Sequence, residues 1–412
     1  MRQNRNPGVM TGIALLLPIT LSTMAIVLLA PVLPGILAEF SGVPGHEYWV
    51  PMILTIPALC IALFSTLAGL LGDVFGRRRL LVASFVIYAI VGVAPVFLRD
   101  LGAILVSRIG VGIAEALIMV LSTTMIGDYF HGAARDKWLA AQTAFASVSA
   151  LLFFNIGGQL GNFGWRTPFW VYLSALLMLA LVLCFTWEPK DAAAQDGGAA
   201  AAGQAPARGW AGFPWARMLL ILAITVYGAI FFYTVQIQAS AGLAVLGVTN
   251  PARAGFLTSI ASIGVPLGTF IYSRIGRWPV QRLLVIEFGF LAVGFLLMGR
   301  AETTGAFVVG CFINQLGAGL LLPTLLVWAM SLLAFEVRGR GAGMWQSAFA
   351  LGQFLSPVVV TFAATHAGGL QNAFAVMSGG AVAGLVVLLL CASRIARVGD
   401  IDEAGLKVGV HG

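Results

Sequence analysis

The sequence predicts an all-α polytopic membrane protein with twelve transmembrane helices. Of its 412 residues, 59% are hydrophobic and only 9% are charged, whereas a soluble globular domain contains about 25% charged residues. The mean hydropathy is +0.96, and an apolar segment of ~20 residues is long enough to cross a bilayer. At about 34 residues per helix and connection, the chain has room for about twelve spans.

Twelve apolar segments can be traced along the chain. They cover residues 10–36, 48–72, 80–98, 102–127, 138–162, 167–187, 217–241, 254–273, 280–299, 304–331, 341–365 and 370–393. The stretch between segments 6 and 7 is rich in Ala and Gly and has no apolar periodicity, which is typical of a flexible linker. We therefore predict six-helix bundles at 1–189 and 216–394, a cytoplasmic linker at 190–215 and a cytoplasmic tail at 395–412.

The distribution of Lys and Arg predicts that both termini are cytoplasmic. In this orientation, 18 of the 23 basic residues lie on the cytoplasmic side, Arg108 lies within segment 4, and only Arg99, Arg166, Arg253 and Arg300 lie outside. The net charge of +7 therefore reflects membrane orientation, and no basic stretch interleaved with aromatic residues indicates nucleic-acid binding. We expect a monomer in the lipid bilayer of a bacterial-type cytoplasmic (inner) membrane.

The two halves resemble each other at nearly constant offsets of 200 and 207 residues. The matching pairs are Gly76-Arg77 with Gly276-Arg277, Gly110-x-Gly112 with Gly317-x-Gly319, and Trp138 with Trp345. Because each half contains an even number of helices, the two pseudo-repeats are expected to be parallel. Parallel repeats that enclose a site at the midplane are typical of transporters.

Residues 69–81, GLLGDVFGRRRLL, resemble the loop signature GxLxDxxGRRxxL that major facilitator superfamily proteins have between helices 2 and 3. The stretches 108–112, 164–166 and 338–340 are also similar to motifs of this family. The resemblance covers the whole chain except the linker and tail, and is greatest to twelve-helix proton-coupled drug and metabolite exporters. It implies the major facilitator fold, alternating access, and a proton gradient as the driving force without a cofactor.

Two positions differ from the pattern of those exporters. Helix 5 often contains Gly-Pro-x-x-Gly-Gly, of which this chain keeps only Gly157 and Gly158. Segment 1 has Thr20, Ser22 and Thr23 where many drug antiporters have an acidic residue. These differences concern the antiporter assignment and leave the predicted fold unchanged.

The loop signature has a physical explanation. Asp73 closes segment 2, where the helix dipole disfavours a carboxylate by up to ~1 kcal/mol, so it requires a cationic partner. Arg77 is four residues further on, and Asp128 at the end of segment 4 is a second acid that Arg77 could bridge. The resemblance implies the same conformational lock, docked on helix 11 in the outward-facing state. Gly69 and Gly76 permit close packing and a tight turn.

The alternative explanation is that the three arginines of this loop only set membrane topology. We assign Arg78 and Arg79 mostly to that role. In the second half, Ser273 replaces the acid, and Glu336 is a candidate partner for Arg277.

Segment 4 contains two ionisable residues, Arg108 and Glu115, at a depth where charges are costly and often functional. Seven residues separate them, so they share a helical stripe with Ser122 and lie roughly 10 Å apart along the axis. We predict that Glu115 is the main proton-coupling carboxylate and that Arg108 belongs to the same site. The alternative is a fixed interhelical ion pair or hydrogen-bond network. Glu287 is the other acid inside a span, expected nearer the cytoplasmic end of a peripheral helix.

Neutral polar residues near mid-depth are candidates for the wall of a substrate pathway. They are Asn155, Tyr233, Gln236, Asn314, Gln315, Gln346 and Gln353. The alternative is that they join helices, since interhelical polar contacts contribute ~0.6 kcal/mol on average.

Other functional classes lack their motifs. The chain has no GxxxxGK[ST] nucleotide loop and no HExxH, and its four Cys form no CxxC pair. We therefore predict no enzyme activity, no metal site and no cofactor. The predicted function is secondary active transport, namely proton-coupled efflux of an amphiphilic small organic molecule such as a drug or metabolite. Proton-coupled import of a small organic solute is the alternative, and a membrane enzyme or a channel is a more distant one.

Overall fold

The computed structural model describes residues 7–188, 213–333 and 338–390, without the side chains of Asp136, Ala140, Thr143, Ser147 and residues 338–340. Within these ranges the chain is almost entirely helical and contains no β-strand. Twelve helices are long and apolar enough to cross a membrane. They are α1 Val9–Glu39, α2 His46–Phe75, α3 Arg77–Val96, α4 Leu101–Tyr129, α5 Gly132–Gly161, α6 Thr167–Phe185, α7 Trp215–Val245, α8 Pro251–Ile275, α9 Val280–Gly299, α10 Thr304–Ser331, α11 Gly341–Ala367 and α12 Leu370–Leu390.

These helices confirm the predicted all-α, twelve-helix fold. The predicted linker at 190–215 falls mostly outside the described residues, and the predicted tail at 395–412 falls entirely outside them. The boundaries of the domains therefore stay predictions. The helix that follows the linker begins at Trp215.

Proline positions explain why some helices are interrupted. A proline has no N–H to donate and its ring clashes with the preceding turn. Accordingly, α1 is interrupted after Leu16, just before Pro18, and resumes at Ile19. It then changes to a short 3₁₀ turn at Ala30–Val32, which contains Pro31. In α8 the interruption is at Ile263. By contrast, α2 continues through Pro51 and Pro57 as one helix.

Glycine contacts show that the two halves are built alike. A methyl group added at Gly112 of α4 would lie 2.6 Å from the Cα of Pro57 on α2. Its counterpart in the second half, Gly319 of α10, packs in the same way on α8, where an added methyl group would lie 2.8 Å from the Cα of Val265. The glycines two residues earlier correspond as well, because Gly110 faces α3 and Gly317 faces α9. The repeats predicted from sequence offsets are therefore repeats of helix packing.

Each half has its own apolar core. Phe85, Tyr88 and Phe169 are fully buried in the first half, α1–α6. Phe288 and Phe295 belong to the corresponding core of the second half, α7–α12. Many large apolar side chains point outward from both bundles, as expected for helices whose surroundings are lipid.

Contacts between the two halves include several at one end of the molecule, which we call the Tyr48 face because Tyr48 lies near the start of α2 there. Thr361 of α11 donates a 3.2 Å hydrogen bond to the carbonyl of Glu47. At the same face, α5 of the first half packs closely on α8 of the second half, and we call this contact the seam between α5 and α8. A methyl group added at Gly158 would lie only 2.6 Å from the carbonyl oxygen of Pro251. Further along α2, Ser347 of α11 donates a 3.2 Å hydrogen bond to the carbonyl of Ala62. At the opposite end, the Asp73 face, Val74 and Phe75 of α2 are 75% and 60% exposed.

Candidate transport site

The lock residues Asp73, Arg77 and Asp128 meet at the Asp73 face of the first half. Arg77, the first residue of α3, donates from Nη2 to Asp73 Oδ1 at 2.9 Å and from Nη1 to Asp128 Oδ1 at 2.5 Å. It thereby connects the ends of α2 and α4 to the start of α3. All three side chains are partly exposed, so each ion pair contributes only ~0–1 kcal/mol. Contacts this weak can form and break during a conformational change.

The two glycines of the lock motif are placed differently. Gly76 has φ +89°, a conformation that favours glycine, and it permits the turn from α2 into α3. Gly69 is loosely packed, because the atom nearest to an added methyl group would be on Val120, 3.9 Å away. The docking of the lock on helix 11 stays a prediction. The side chains of residues 338–340, which precede α11, and the whole of Glu336 lie outside the described set.

Glu115 lies near the middle of α4 and is 1% exposed. The hydroxyl of Ser22 on α1 lies beside its carboxylate. Tyr233 of α7, in the other half, is near enough to interact with its charge. Among the described residues, Glu115 Oε2 has no hydrogen-bond partner and the carboxylate makes no ion pair. Glu115 thus faces α1 and the boundary between the halves.

Arg108 is fully buried and faces the interior of the first half. Its Nη2 donates to the carbonyls of Val91 at 3.1 Å and Gly92 at 3.0 Å on α3. The guanidinium lies 5.1 Å from the ring centre of Phe169 and 5.0 Å from that of Tyr172, both on α6. Cations are attracted to aromatic faces at such distances. Arg108 therefore connects α3, α4 and α6.

The structure gives different neighbours to two residues that helical periodicity placed on one stripe, although they remain near enough for their charges to interact. Arg108 and Glu115 do share a face of α4, but the long side chain of Arg108 reaches carbonyls on α3 while Glu115 lies beside α1. Ser122, further along the same stripe, donates to the carbonyl of Met119 in its own helix. Periodicity specifies the face of a helix, but not which of the neighbouring helices a long side chain reaches.

Glu287 is more deeply enclosed than a peripheral position predicts. It is 0% exposed on α9, and Thr324 of α10 donates a 2.5 Å hydrogen bond to its Oε1. Its Oε2 has no partner among the described residues. Glu287 thus lies inside the second half between α9 and α10, whereas Glu115 faces the boundary between the halves.

Three of the predicted pathway amides form one cluster in the second half. Gln236 of α7 donates to Gln315 Oε1 at 2.5 Å, and Gln315 Nε2 approaches both Asn314 Oδ1 and the carbonyl of Phe232 at 3.3 Å. All three amides are at most 5% exposed. Gln236 Oε1 and Asn314 Nδ2 have no partner within the described chain, so the cluster retains an acceptor and a donor for another molecule.

The remaining pathway candidates lie on both sides of the boundary. Asn155 of α5 donates a 2.9 Å hydrogen bond to Ser259 of α8 and so joins the two halves. Tyr233 packs on Phe349 of α11 with ring centres 5.2 Å apart. Gln353 is buried on α11, whereas Gln346 is exposed on the same helix.

Two features of the site were not predicted from the sequence. Trp345 and Phe349 of α11 stack with ring centres 5.4 Å apart, and Phe349 extends this cluster to Tyr233. Their i, i+4 spacing was a signal for the pair, but not for its contact with α7. The second feature is the set of contacts of Arg78, described below. Within the described ranges, no group of His, Cys, Asp and Glu is arranged to hold a metal ion.

The sequence model of the major facilitator superfamily matches residues 15–357, which is most of the chain. The protein belongs to the major facilitator superfamily. It is therefore an integral membrane protein with the family and fold of transporters of small molecules.

Three known proteins illustrate the similarity. The multidrug efflux pump LfrA of Mycolicibacterium smegmatis is 27% identical over 365 residues, covering 74% of this chain and 70% of the pump. The 3-(3-hydroxy-phenyl)propionate transporter of Escherichia coli is 25% identical over 344 residues, covering 82% and 83%. The inward-facing, unoccupied crystal structure of a bacterial homologue of the human lysosomal transporter Spinster has a TM-score of 0.76 at 18% identity, covering 95% and 97%. That structure supports the fold.

Proposed function

We propose that this transporter exports an amphiphilic small organic molecule in exchange for protons, by alternating access in the cytoplasmic membrane of a bacterial-type cell. The similarity to a multidrug efflux pump over three quarters of the chain supports export. The boundary between the halves offers both kinds of surface that an amphiphile requires. Tyr233 and Phe349 supply aromatic faces, and the buried amide cluster of the second half, which includes Gln236 on the same helix as Tyr233, supplies hydrogen-bonding groups.

The environment of Glu115 is the observation on which the proton-coupled mechanism rests. An unpaired carboxylate charge at membrane depth is costly, ~2.5–3.5 kcal/mol on insertion scales. Binding one proton removes that charge, so any conformational change that alters the hydration of Glu115 is linked to proton uptake or release. Its position at the boundary between the halves is where such changes in hydration occur during alternating access. Glu287, enclosed between two helices of one half, is less exposed to such changes.

The conformation described here corresponds to the inward-facing state in this proposal. The halves meet at the Tyr48 face, which the distribution of Lys and Arg places outside the cell. Substrate would enter from the cytoplasm in this state. Glu115 is still only 1% exposed here, and its subsequent hydration from that side would release its proton to the cytoplasm. In the outward-facing state, the lock of Asp73, Arg77 and Asp128 would stabilise the closed Asp73 face, and Glu115 would be protonated from outside.

The two buried acids allow a matched test of this mechanism in proteoliposomes with an imposed pH gradient, using ethidium as the probe. Glu115→Gln preserves the size of the side chain and fixes it as neutral. We expect this variant to lose ethidium transport driven by the pH gradient while retaining ethidium exchange at equal pH. Glu287→Gln should retain gradient-driven transport. Gradient-driven transport in Glu115→Gln at the rate of the unmodified protein would contradict the assignment.

Direction of transport distinguishes export from the alternative of import. Cells that express the protein and are preloaded with ethidium should lose the dye faster than cells expressing Glu115→Gln. An uncoupler should abolish the difference, because it collapses the proton gradient. Uncoupler-sensitive accumulation of dye, instead of loss, would favour proton-coupled import.

A further inference from the structure

The residue that precedes α3, Gly76, provides no side-chain acceptor for the first N–H groups of that helix. Its φ is +89°. A Ser, Asp or Asn at this position normally provides such an acceptor. Here a side chain would be strained, and its Cβ would lie 3.1 Å from Glu188 Oε1. An acceptor from the protein must therefore come from another part of the chain.

Glu188, which follows α6, supplies this acceptor. Its Oε1 accepts a 3.2 Å hydrogen bond from the backbone N–H of Arg78. Arg78 is the second residue of α3, and the N–H group at this position is one that an N-cap side chain commonly binds. A carboxylate at a helix N-terminus is also favoured by the helix dipole. Glu188 thus caps α3 from a position 110 residues away.

The side chain of Arg78 performs the converse role at the end of α6. Its Nη2 donates to the carbonyl of Leu183 at 3.1 Å, and its Nε donates to Thr186 Oγ1 at 3.3 Å. Leu183 lies in the last turn of α6, where carbonyl groups lack partners within the helix. A cation is favoured at this end of a helix. The start of α3 and the end of α6 are therefore capped by each other's flanking residues.

A further contact connects α4 to the same place. The hydroxyl of Tyr129, the last residue of α4, accepts a 2.9 Å hydrogen bond from the backbone N–H of Trp187 and donates to the carbonyl of the same residue. Since Arg77 joins α2 to α4 through Asp73 and Asp128, four helix ends of the first half are connected at the Asp73 face.

We propose that Arg78 and Glu188 are positioning residues: they cap α3 and α6 reciprocally and thereby hold Arg77 within reach of both acids of the lock. Arg77 and Arg78 are the first two residues of α3, so fraying of this turn would displace Arg77 from Asp73 and Asp128. The capping follows from the contacts themselves, whereas its effect on transport rests on the proposed function. Arg79 is the matched control, because it has the same charge in the same loop and is exposed.

Hydrogen exchange measured by mass spectrometry on the purified full-length protein tests the capping without reference to transport. In Arg78→Ala and in Glu188→Ala, peptides covering 77–82 and 183–188 should exchange roughly 3- to 10-fold faster, as expected for loss of a helix cap. Arg79→Ala should leave both peptides unchanged. Equal exchange in the Arg78→Ala and Arg79→Ala proteins would overturn the proposal.

A conservative variant distinguishes capping by hydrogen bonds from a simple attraction between charges. Glu188→Gln removes the negative charge but keeps a side-chain oxygen that can accept the hydrogen bond from the backbone N–H of Arg78. Hydrogen exchange of peptide 77–82 in Glu188→Gln should therefore be slower than in Glu188→Ala. Exchange as fast as in Glu188→Ala would show that the charge alone protects this turn and would contradict the capping.

The positioning role has its own readout in ethidium transport. Arg78→Ala and Glu188→Ala should lower the transport rate in the same direction as Asp73→Asn, and Arg79→Ala should not. If the Arg78→Ala and Glu188→Ala proteins show faster hydrogen exchange but transport ethidium at the rate of Arg79→Ala, the cap contributes only to the stability of these helix ends. That result would overturn the positioning role. Failure of the proposed proton coupling is seen separately, as unimpaired gradient-driven transport in Glu115→Gln.

Discussion

At the scale of single residues, ion pairs and buried charges have different roles in this protein. The lock residues are partly exposed and their contacts are weak, which suits a contact that forms and breaks. Arg108 is enclosed by two carbonyls and two aromatic rings, which suits a permanent structural role. Glu115 is enclosed as well, but without a cationic partner among the described residues.

Replacement of Asp73 by Asn tests the lock. The change removes one charge from the partners of Arg77 but preserves volume, so insertion into the membrane should be normal. The ethidium transport rate in proteoliposomes should fall about 2- to 5-fold, corresponding to the loss of one weak ion pair. Glu302→Gln, at an exposed position of the Tyr48 face, is the control. Transport by Asp73→Asn at the rate of this control would contradict the lock and leave the loop signature only the role of setting membrane topology.

Replacement of Arg108 by Lys tests its structural role. Lysine has no planar guanidinium that could pack between two aromatic rings while one of its nitrogens donates to two carbonyls, and a buried hydrogen bond to a charged group contributes ~1.5–3 kcal/mol. The thermal unfolding midpoint of the purified protein should fall by several degrees, whereas Arg99→Lys, at an exposed position, should leave it unchanged. An unaltered midpoint together with loss of gradient-driven transport would instead place Arg108 in the coupling site.

How far the sequence predicts these roles depends on the range of the interactions. The contact of Arg77 with Asp73 is between residues four apart on the chain, and the loop signature specifies its place, so sequence reasoning reached it. The cap of α3 by Glu188 depends on residues 110 apart, and no local pattern indicates it. Likewise, spacing along α4 cannot show that Arg108 reaches α3 and α6, because several neighbours were geometrically available.

At the scale of helices, small residues decide how closely neighbouring elements approach. Gly112 and Gly319 permit equivalent close packing in the two halves, and Gly158 permits α5 to meet α8 at the Tyr48 face. The glycines of each repeat were visible as sequence offsets, and the structure supplies the reason. Prolines have different effects in different helices, since α2 continues through Pro57 while α1 and α8 are interrupted.

Replacement of Gly158 by Ala tests the seam between α5 and α8. The added methyl group would clash with the carbonyl of Pro251, and overpacking of this kind costs ~1–3 kcal/mol. The closed Tyr48 face should become less populated, so Ala254→Cys, buried near the seam, should react faster with an impermeant thiol reagent. Gly289→Ala is the control, because an added methyl group meets no atom within 4 Å there. Unchanged reactivity in Gly158→Ala would show that this seam does not govern closure.

At the scale of the whole molecule, the uneven distribution of basic residues predicts the orientation in the membrane. Ser41 lies at the Tyr48 face, whereas Ala200 lies in the predicted cytoplasmic linker. In intact cells, an impermeant thiol reagent should label Ser41→Cys and leave Ala200→Cys unlabelled, relative to the parent protein. Labelling of Ala200→Cys from outside would reverse the orientation and, with it, the assignment of the structure to the inward-facing state.

The central claim is that protonation of Glu115 governs alternation between the two halves. It is tested most directly by distances between spin labels at Val74 and Gly343 on the Asp73 face, and at Ser41 and Glu302 on the Tyr48 face, recorded at pH 6 and pH 8. A change of pH should alter the two distance distributions in opposite directions, so that one face closes as the other opens. In Glu115→Gln, both distributions should be independent of pH. Distances that do not respond to pH in the unmodified protein, or that respond equally in Glu115→Gln, would contradict the claim.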